Sequence, residues 1–190
     1  MSGMPLIRHE HVPLYRVARA GWADPLDTSF SQRKSNRWNV EGGHRVLYTC
    51  CSVAVAQCIV RDIFAFGALA MEDLRLEYRP VLAELRWRGL VVDLTSPEGL
   101  EAAGFPISYP EGIEHRHTQP FSEAWFILGA EGIVCRSASV FRLQHEGWRG
   151  RHETWSELAI FVDNAIEKPR LIKTYTEPGW LGDSVVHAQQ

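Results

Sequence analysis

Cysteine is scarce in this chain. The 190 residues hold four, Cys50, Cys51, Cys58 and Cys135, too few for the disulfide framework of a small secreted protein. No CxxC pair occurs, and adjacent Cys50 and Cys51 cannot easily face one metal ion, so all four read as small, reduced, mostly buried side chains. Long apolar runs are missing too: none approaches the roughly 18 residues of a membrane span. The opening MSGMPLIRHEH meets charge and histidine too early for a secretory signal core. A cationic excess is absent as well. Lys+Arg number 20 against Asp+Glu 23, a net charge of −3, so direct nucleic-acid binding would need a local basic patch. These absences together predict a cytoplasmic protein with neither a membrane nor a nucleic acid as its direct partner. The sequence also lacks a Gly-rich dinucleotide fingerprint, a phosphate loop, HExxH and GxSxG.

What is present is globular. Hydrophobic residues at 45% and charged residues at 23% exclude a disordered chain. Residues 1–12 read as a loose arm, and Leu14 to Arg19 alternate apolar and polar positions as a half-buried strand does. Residues 21–34 are turn formers and polars, a long loop; Arg45 to Thr49 are a second strand after the Gly42-Gly43 turn. Ser52 caps a helix to about Leu69, with Ala56, Ile59, Val60, Ile63 and Phe64 on its apolar face. Strands at Tyr78–Trp87 and Leu90–Leu94 flank an Arg88-Gly89 turn, and Ser96-Pro97 opens a short helix. A helix over Pro120–Leu128 and a strand over Gly132–Arg136 follow. A polar loop over Gln144–Thr154 leads to strands at Glu157–Asp163 and Arg170–Tyr175. Strands outnumber helices without strict alternation, which predicts an α+β fold in a single domain over 1–190.

Chemistry-bearing residues are few. His9-x-His11 and His115-x-His117 sit in polar sequence and read as solvent-facing, so no metal site is expected. Gly147 to His152 form a small basic stretch that reads as a solvated loop. The informative stretch is Asn36-Arg37-Trp38-Asn39, followed by the Gly42-Gly43 turn and a strand carrying Tyr48. An arginine held beside a bulky indole offers a planar fork of donors that matches phosphate or carboxylate. Trp38 itself reads as packing. Arg16 lies mid-strand among apolar neighbours, where an unpaired guanidinium is costly to bury. It either pairs with a carboxylate inside the fold or lines a cleft and waits for an anion.

Tyr15-Arg16, Arg37-Trp38-Asn39 and Tyr48-Thr49 leading into an Ala/Val-rich helix resemble the opening half of the RES domain. The later run Thr118-Gln119, Ala124-Trp125 and Gly129 to Ala138, with Ser137 near its end, resembles the closing half. The resemblance covers roughly residues 13–163 and leaves about 67–116 as an edge elaboration. It implies a fold like that of ADP-ribosyltransferase toxins, a mixed sheet flanked by helices. It also implies NAD⁺ as a consumed substrate with no tightly bound cofactor. Members are toxins of bacterial toxin–antitoxin pairs that cleave NAD⁺ at the nicotinamide–ribose bond by hydrolysis or phosphorolysis, or transfer ADP-ribose. Their usual partner is a helix-turn-helix antitoxin; a homodimer is left open. Carried over by residue, the resemblance puts substrate-binding arginines at Arg16 and Arg37, the site tyrosine at Tyr48 and the serine at Ser137.

The family is named for an arginine, a glutamate and a serine, and the glutamate belongs on the helix after the Tyr-Thr strand. Counting without gaps from Tyr48 lands on Ile59. Gln57 aligns if the turn is shortened; Asp62 lies one helical step further on the same face. Either is expected to replace the glutamate, and if neither does, the chain is a catalytically silent module that binds NAD⁺ or an antitoxin. Asn36 also departs from the pattern, standing where a glycine usually precedes the arginine.

Overall fold

The alternation that begins at Leu14 becomes strand β2, Pro13–Arg19, whose side chains point alternately into the protein and away from it. In the computed structural model, which describes residues 4–10, 12–65, 71–145 and 155–182, β2 belongs to one eight-stranded sheet. The other strands are β1 (Leu6–His9), β3 (Val46–Cys50), β4 (Pro80–Arg86), β5 (Gly89–Leu94), β6 (Gly132–Arg136), β7 (Ser156–Phe161) and β8 (Arg170–Tyr175). Their order is β1-β5-β6-β7-β3-β2-β4-β8, with only β5 and β6 parallel. Helices α1 (Ser29–Arg33), α2 (Val53–Ala65), α3 (Pro97–Ala103), α4 (His115–Ile127) and α5 (Ala138–His145) complete an α+β fold with a mixed sheet, as the sequence implies. Among the described residues no helix is long and apolar enough to cross a membrane.

Directly opposed residues of paired strands share a face, so the register sorts the side chains into two layers. On the inner face Leu14, Leu47, Leu85, Trp87, Val91, Leu158 and Ile160 make one buried cluster. β4 and β5 are joined by Trp87 and Arg88 alone yet stand on opposite sides of β3 in the sheet order. So short a link reaches only about 11 Å. The sheet must therefore curl until its two halves meet around this cluster. The outer face carries the helices. Trp38, Leu94, Leu100, Trp125, Ile133 and Phe161 pack under α3 and α4, while Cys50, Val55, Leu82, Val140 and Leu143 pack under α2 and α5.

Several expectations are corrected. The N-terminal arm contains β1, which pairs along β5 through backbone bonds that its LIRH side chains do not advertise. The loop at 21–34 contains α1. β4 and β5 do not pair with each other, and both are interior strands with Leu85, Val91, Val92 and Leu94 fully buried. Within the segment 67–116, β4 and β5 therefore belong to the sheet core and are not an elaboration at its edge. Helix α4 begins at His115 and runs through Pro120. Helix α5 was not expected. Residues 66–70, 146–154 and 183–190 lie outside the described residues, and with them the end of the first predicted helix, the Gly147–His152 stretch and part of the polar loop; His11 of the His9–His11 pair does too.

Local signals held where they were explicit. Ser96 accepts from the Gly99 N–H at 3.0 Å, Pro97 takes the first helical position, and Gly104, at φ 77°, ends α3 in the left-handed conformation that glycine adopts without strain. Glu131 performs an unpredicted job. Buried at the start of β6, it accepts from the Leu90 N–H (3.0 Å) and the Ile166 N–H (2.9 Å), tying β5 to the β7–β8 turn. Glu131→Ala leaves two backbone donors unpaired and should cost about 3 kcal/mol in urea unfolding, with Glu131→Gln, which keeps one acceptor oxygen, falling between it and wild type.

Candidate functional site

Residues 36–39 form a tight turn closed by a bridge between Asn36 and Asn39. Trp38, 1% exposed, fixes it by packing among Phe105, Tyr109 and Trp125. The Tyr48 hydroxyl, rising from β3, accepts from the Trp38 N–H and donates to Asn39 Oδ1, both at 2.9 Å. Asn39 Nδ2 in turn donates to the carbonyls of Ser31 and Lys34. From the other side α4 supplies three donors. Thr118 Oγ1 bonds the Arg37 carbonyl, Gln119 Nε2 the carbonyls of Asn36 (2.8 Å) and Asn39 (3.3 Å), and Ser122 Oγ that of Trp38 (2.6 Å). Tyr48 is thus engaged through both its donor and its acceptor, and burial raises its pKa further above the phenolic range. It holds the turn.

The turn delivers the Arg37 guanidinium to the outer face of the sheet. Burial disfavours its charge, but Glu157, with Tyr109 and Cys135, acts in the opposite sense and the balance raises its pKa. Its Nη1 is buried against Tyr109; neither Nη1 nor the Tyr109 Oη forms a well-aligned hydrogen bond, although Arg37, Tyr109 and Cys135 lie close enough to interact. Glu157 sits on β7 directly between Cys50 of β3 and Cys135 of β6. Burial pushes Cys50 well up and Cys135 to about 11, so both flanking thiols stay neutral at physiological pH. Ser137 donates to Glu157 Oε1 at 2.5 Å while its oxygen caps α5 through the Val140 N–H (3.4 Å). Ser137 thus caps the helix and tethers the acid while standing in the wall of a cleft.

Glu157 is the residue that sequence reasoning missed. A charged position opening the apolar strand Leu158 to Phe161 was the available signal, but the acid was sought on the helix. The two α2 candidates are committed elsewhere. Gln57 Nε2 donates to the Trp180 carbonyl at 2.6 Å. Asp62 is buried against α5, where its Oδ2 takes Ser139 Oγ (2.8 Å) and the Arg142 guanidinium. Arg16 is not brought to Arg37 either. Tyr15, opposite Cys50, shares the Glu157 face, so Arg16 points to the other side with Leu14 and Ala18. There its Nη2 donates to the Asp27 carbonyl (2.9 Å), it lies 5.5 Å from the Trp22 ring, and burial lowers its pKa to about 10. The structure does not bring Arg16 and Arg37 into one crevice; they lie on opposite faces of the sheet.

A serine-tethered carboxylate beside a guanidinium can hold an anionic ligand and stabilise positive charge developing next to it. A cleft of about 720 Å³ adjoins these groups, with Ser137, Tyr109, Arg136 and His9 in its wall, although Arg37, Tyr48 and Glu157 do not line it. That volume is of ligand-pocket size. The RES domain family model matches residues 13–175. The chain belongs to the RES domain family. No curated protein matches its sequence. Among solved structures, this RES domain is similar to a chain of the crystal structure of the M. tuberculosis MbcT–MbcA toxin–antitoxin complex. That match has a TM-score of 0.67 at 20% identity and covers 86% of this chain and 82% of that one. Glu157, which accepts from Ser137 and attracts Arg37, stands on strand β7.

Two measurements probe this geometry. Tyr48→Phe removes an acceptor and a donor from the turn and should cost about 2 kcal/mol in urea unfolding. His44, stacked on Phe126 at 4.4 Å, has its pKa lowered because burial outweighs the help of Glu123. The unfolded chain therefore takes up this proton first as pH falls. The stabilisation is whole above the ordinary histidine pKa of 6.5 and is lost as pH falls towards the lower folded value. Melting temperatures should drop from pH 7 to 5, and by less in His44→Asn.

Proposed function

We propose that this RES domain cleaves NAD⁺ at the bond between nicotinamide and ribose, as the toxin of a toxin–antitoxin pair. The observation that carries the reading is the Arg37 guanidinium held electrostatically by Glu157, a glutamate that Ser137 tethers. In the cleavage the C–N bond breaks and its electron pair leaves with neutral nicotinamide. Positive charge then builds on the ribose as in glycoside hydrolysis, until water, phosphate or a protein side chain supplies a new pair. Glu157 lies against that charge and Ser137 fixes its oxygen. Arg37 binds a phosphate of the dinucleotide, and the Tyr48 ring braces the turn beneath. Arg16, on the other face of the sheet, shapes the loop around Asp27. NAD⁺ is consumed, so no resident cofactor is needed. The likeness to a toxin–antitoxin complex supports a protein partner, and the family supports a helix-turn-helix antitoxin in the cytoplasm.

A silent binding module is the second reading, favoured by Asp62 and Gln57 both being engaged away from Arg37. Incubating the purified chain with NAD⁺ and following nicotinamide separates the two. Release is expected, lost in Arg37→Ala, reduced about 10²–10³-fold in Glu157→Gln and unchanged within a few fold in Gln57→Leu. Undiminished release from a folded Glu157→Gln would move the role to Asp62. No release above a buffer blank, with NAD⁺ still raising the melting temperature, would establish the silent module.

A further inference from the structure

Arg37 is the fork of a turn that has no regular secondary structure to hold it, and its Nη1 is buried against Tyr109 without a well-aligned hydrogen bond. A flexible side chain with that burden gains by swinging out to water unless its backbone is fixed. Two hydroxyls of α4 do the fixing from fully buried positions. Thr118 is 1% exposed, and its Oγ1 bonds the Arg37 carbonyl while lying 2.9 Å from the carbonyl of His115. Ser122 is 0% exposed and donates to the Trp38 carbonyl. Behind Ser122, His44 Nε2 lies at 3.3 Å, and His44 Nδ1 faces Glu123 Oε2 at 3.2 Å. Serine, imidazole and carboxylate stand in the order of a hydrolase triad. Ser122 has no access to solvent, however, and its one proton serves a backbone carbonyl. The line is scaffold, not nucleophile.

We propose that Thr118 and Ser122 are positioning residues for Arg37, a role that rests on reading Arg37 as the substrate-holding group. By fixing the two successive carbonyls of Arg37 and Trp38 they keep the guanidinium at Glu157. Misplacement by about an ångström is enough to lose much of such a contact.

The test uses Thr118→Val, which keeps the shape and removes the hydroxyl, and Thr118→Ser, which restores it. Arg37 Nε–H exchange is followed by NMR without ligand, its resonance assigned from Arg37→Ala, and KM and kcat for nicotinamide release are measured alongside. In Thr118→Val the exchange should quicken and KM rise, each about tenfold, with kcat within about threefold. Thr118→Ser should return both to within about twofold of wild type, and Ser122→Ala should move both as Thr118→Val does. A lower melting temperature with exchange and KM unmoved would overturn the proposal and leave α4 a merely structural cover. If Thr118→Val does not fold, Ser122→Ala decides by the same readings. Absence of nicotinamide release from wild type would sink the NAD⁺ reading alone, because the exchange measurement still decides the positioning role.

Discussion

A turn taken out of water must find a partner for each carbonyl it buries, and residues 36–39 meet that constraint through their own bridge and helix α4. Burial of Trp38 draws the segment inward; Thr118 and Ser122 then take the carbonyls of Arg37 and Trp38, and Gln119 adds to the bridge at Asn36 and Asn39. Tyr48 and Asn39 close the same turn from the sheet side. Every other feature of the site presupposes this. Without it the Arg-Trp-Asn stretch is an exposed loop, and the guanidinium has no fixed origin from which to reach Glu157.

The acid comes from the opposite kind of element. One transverse row crosses the sheet through Glu84, Tyr15, Cys50, Glu157, Cys135 and Leu94, each paired with the next. A position in the middle of such a row cannot shift without moving both neighbours. The two thiols beside Glu157 bring no charge, so the electrostatic partner that matters is Arg37, reaching in from above the sheet. In surroundings this dry, an interaction between separated charges is stronger than it is at the surface.

What the chain displayed in advance follows from which signals are local. Period-two alternation gave β2, and Ser96-Pro97 gave the start of α3, because each depends only on nearby residues. The packing role of Trp38 was legible for the same reason. β1 was hidden because an edge strand needs only backbone pairing. The true places of β4 and β5 were hidden because a two-residue link resembles a hairpin whether or not its strands pair. Pro120 suggested a helix start that the structure sets at His115. Glu157 escaped because its significance arises only when β3 and β6 are placed on either side of it. Arg16 misled in the converse way: a mid-strand arginine in a family motif points to a ligand, while the register turns it to the other face.

The pairing of β3 with β7, Tyr48 against Ala159 and Cys50 against Glu157, joins segments from the two ends of the chain. Arg37 is translated early and Glu157 late, so a ribosome-bound chain carries the cation long before it carries the acid. Synthesis at about 5–20 residues per second leaves an interval of seconds in which the chain holds Arg37 and β3 but not the strand that carries Glu157.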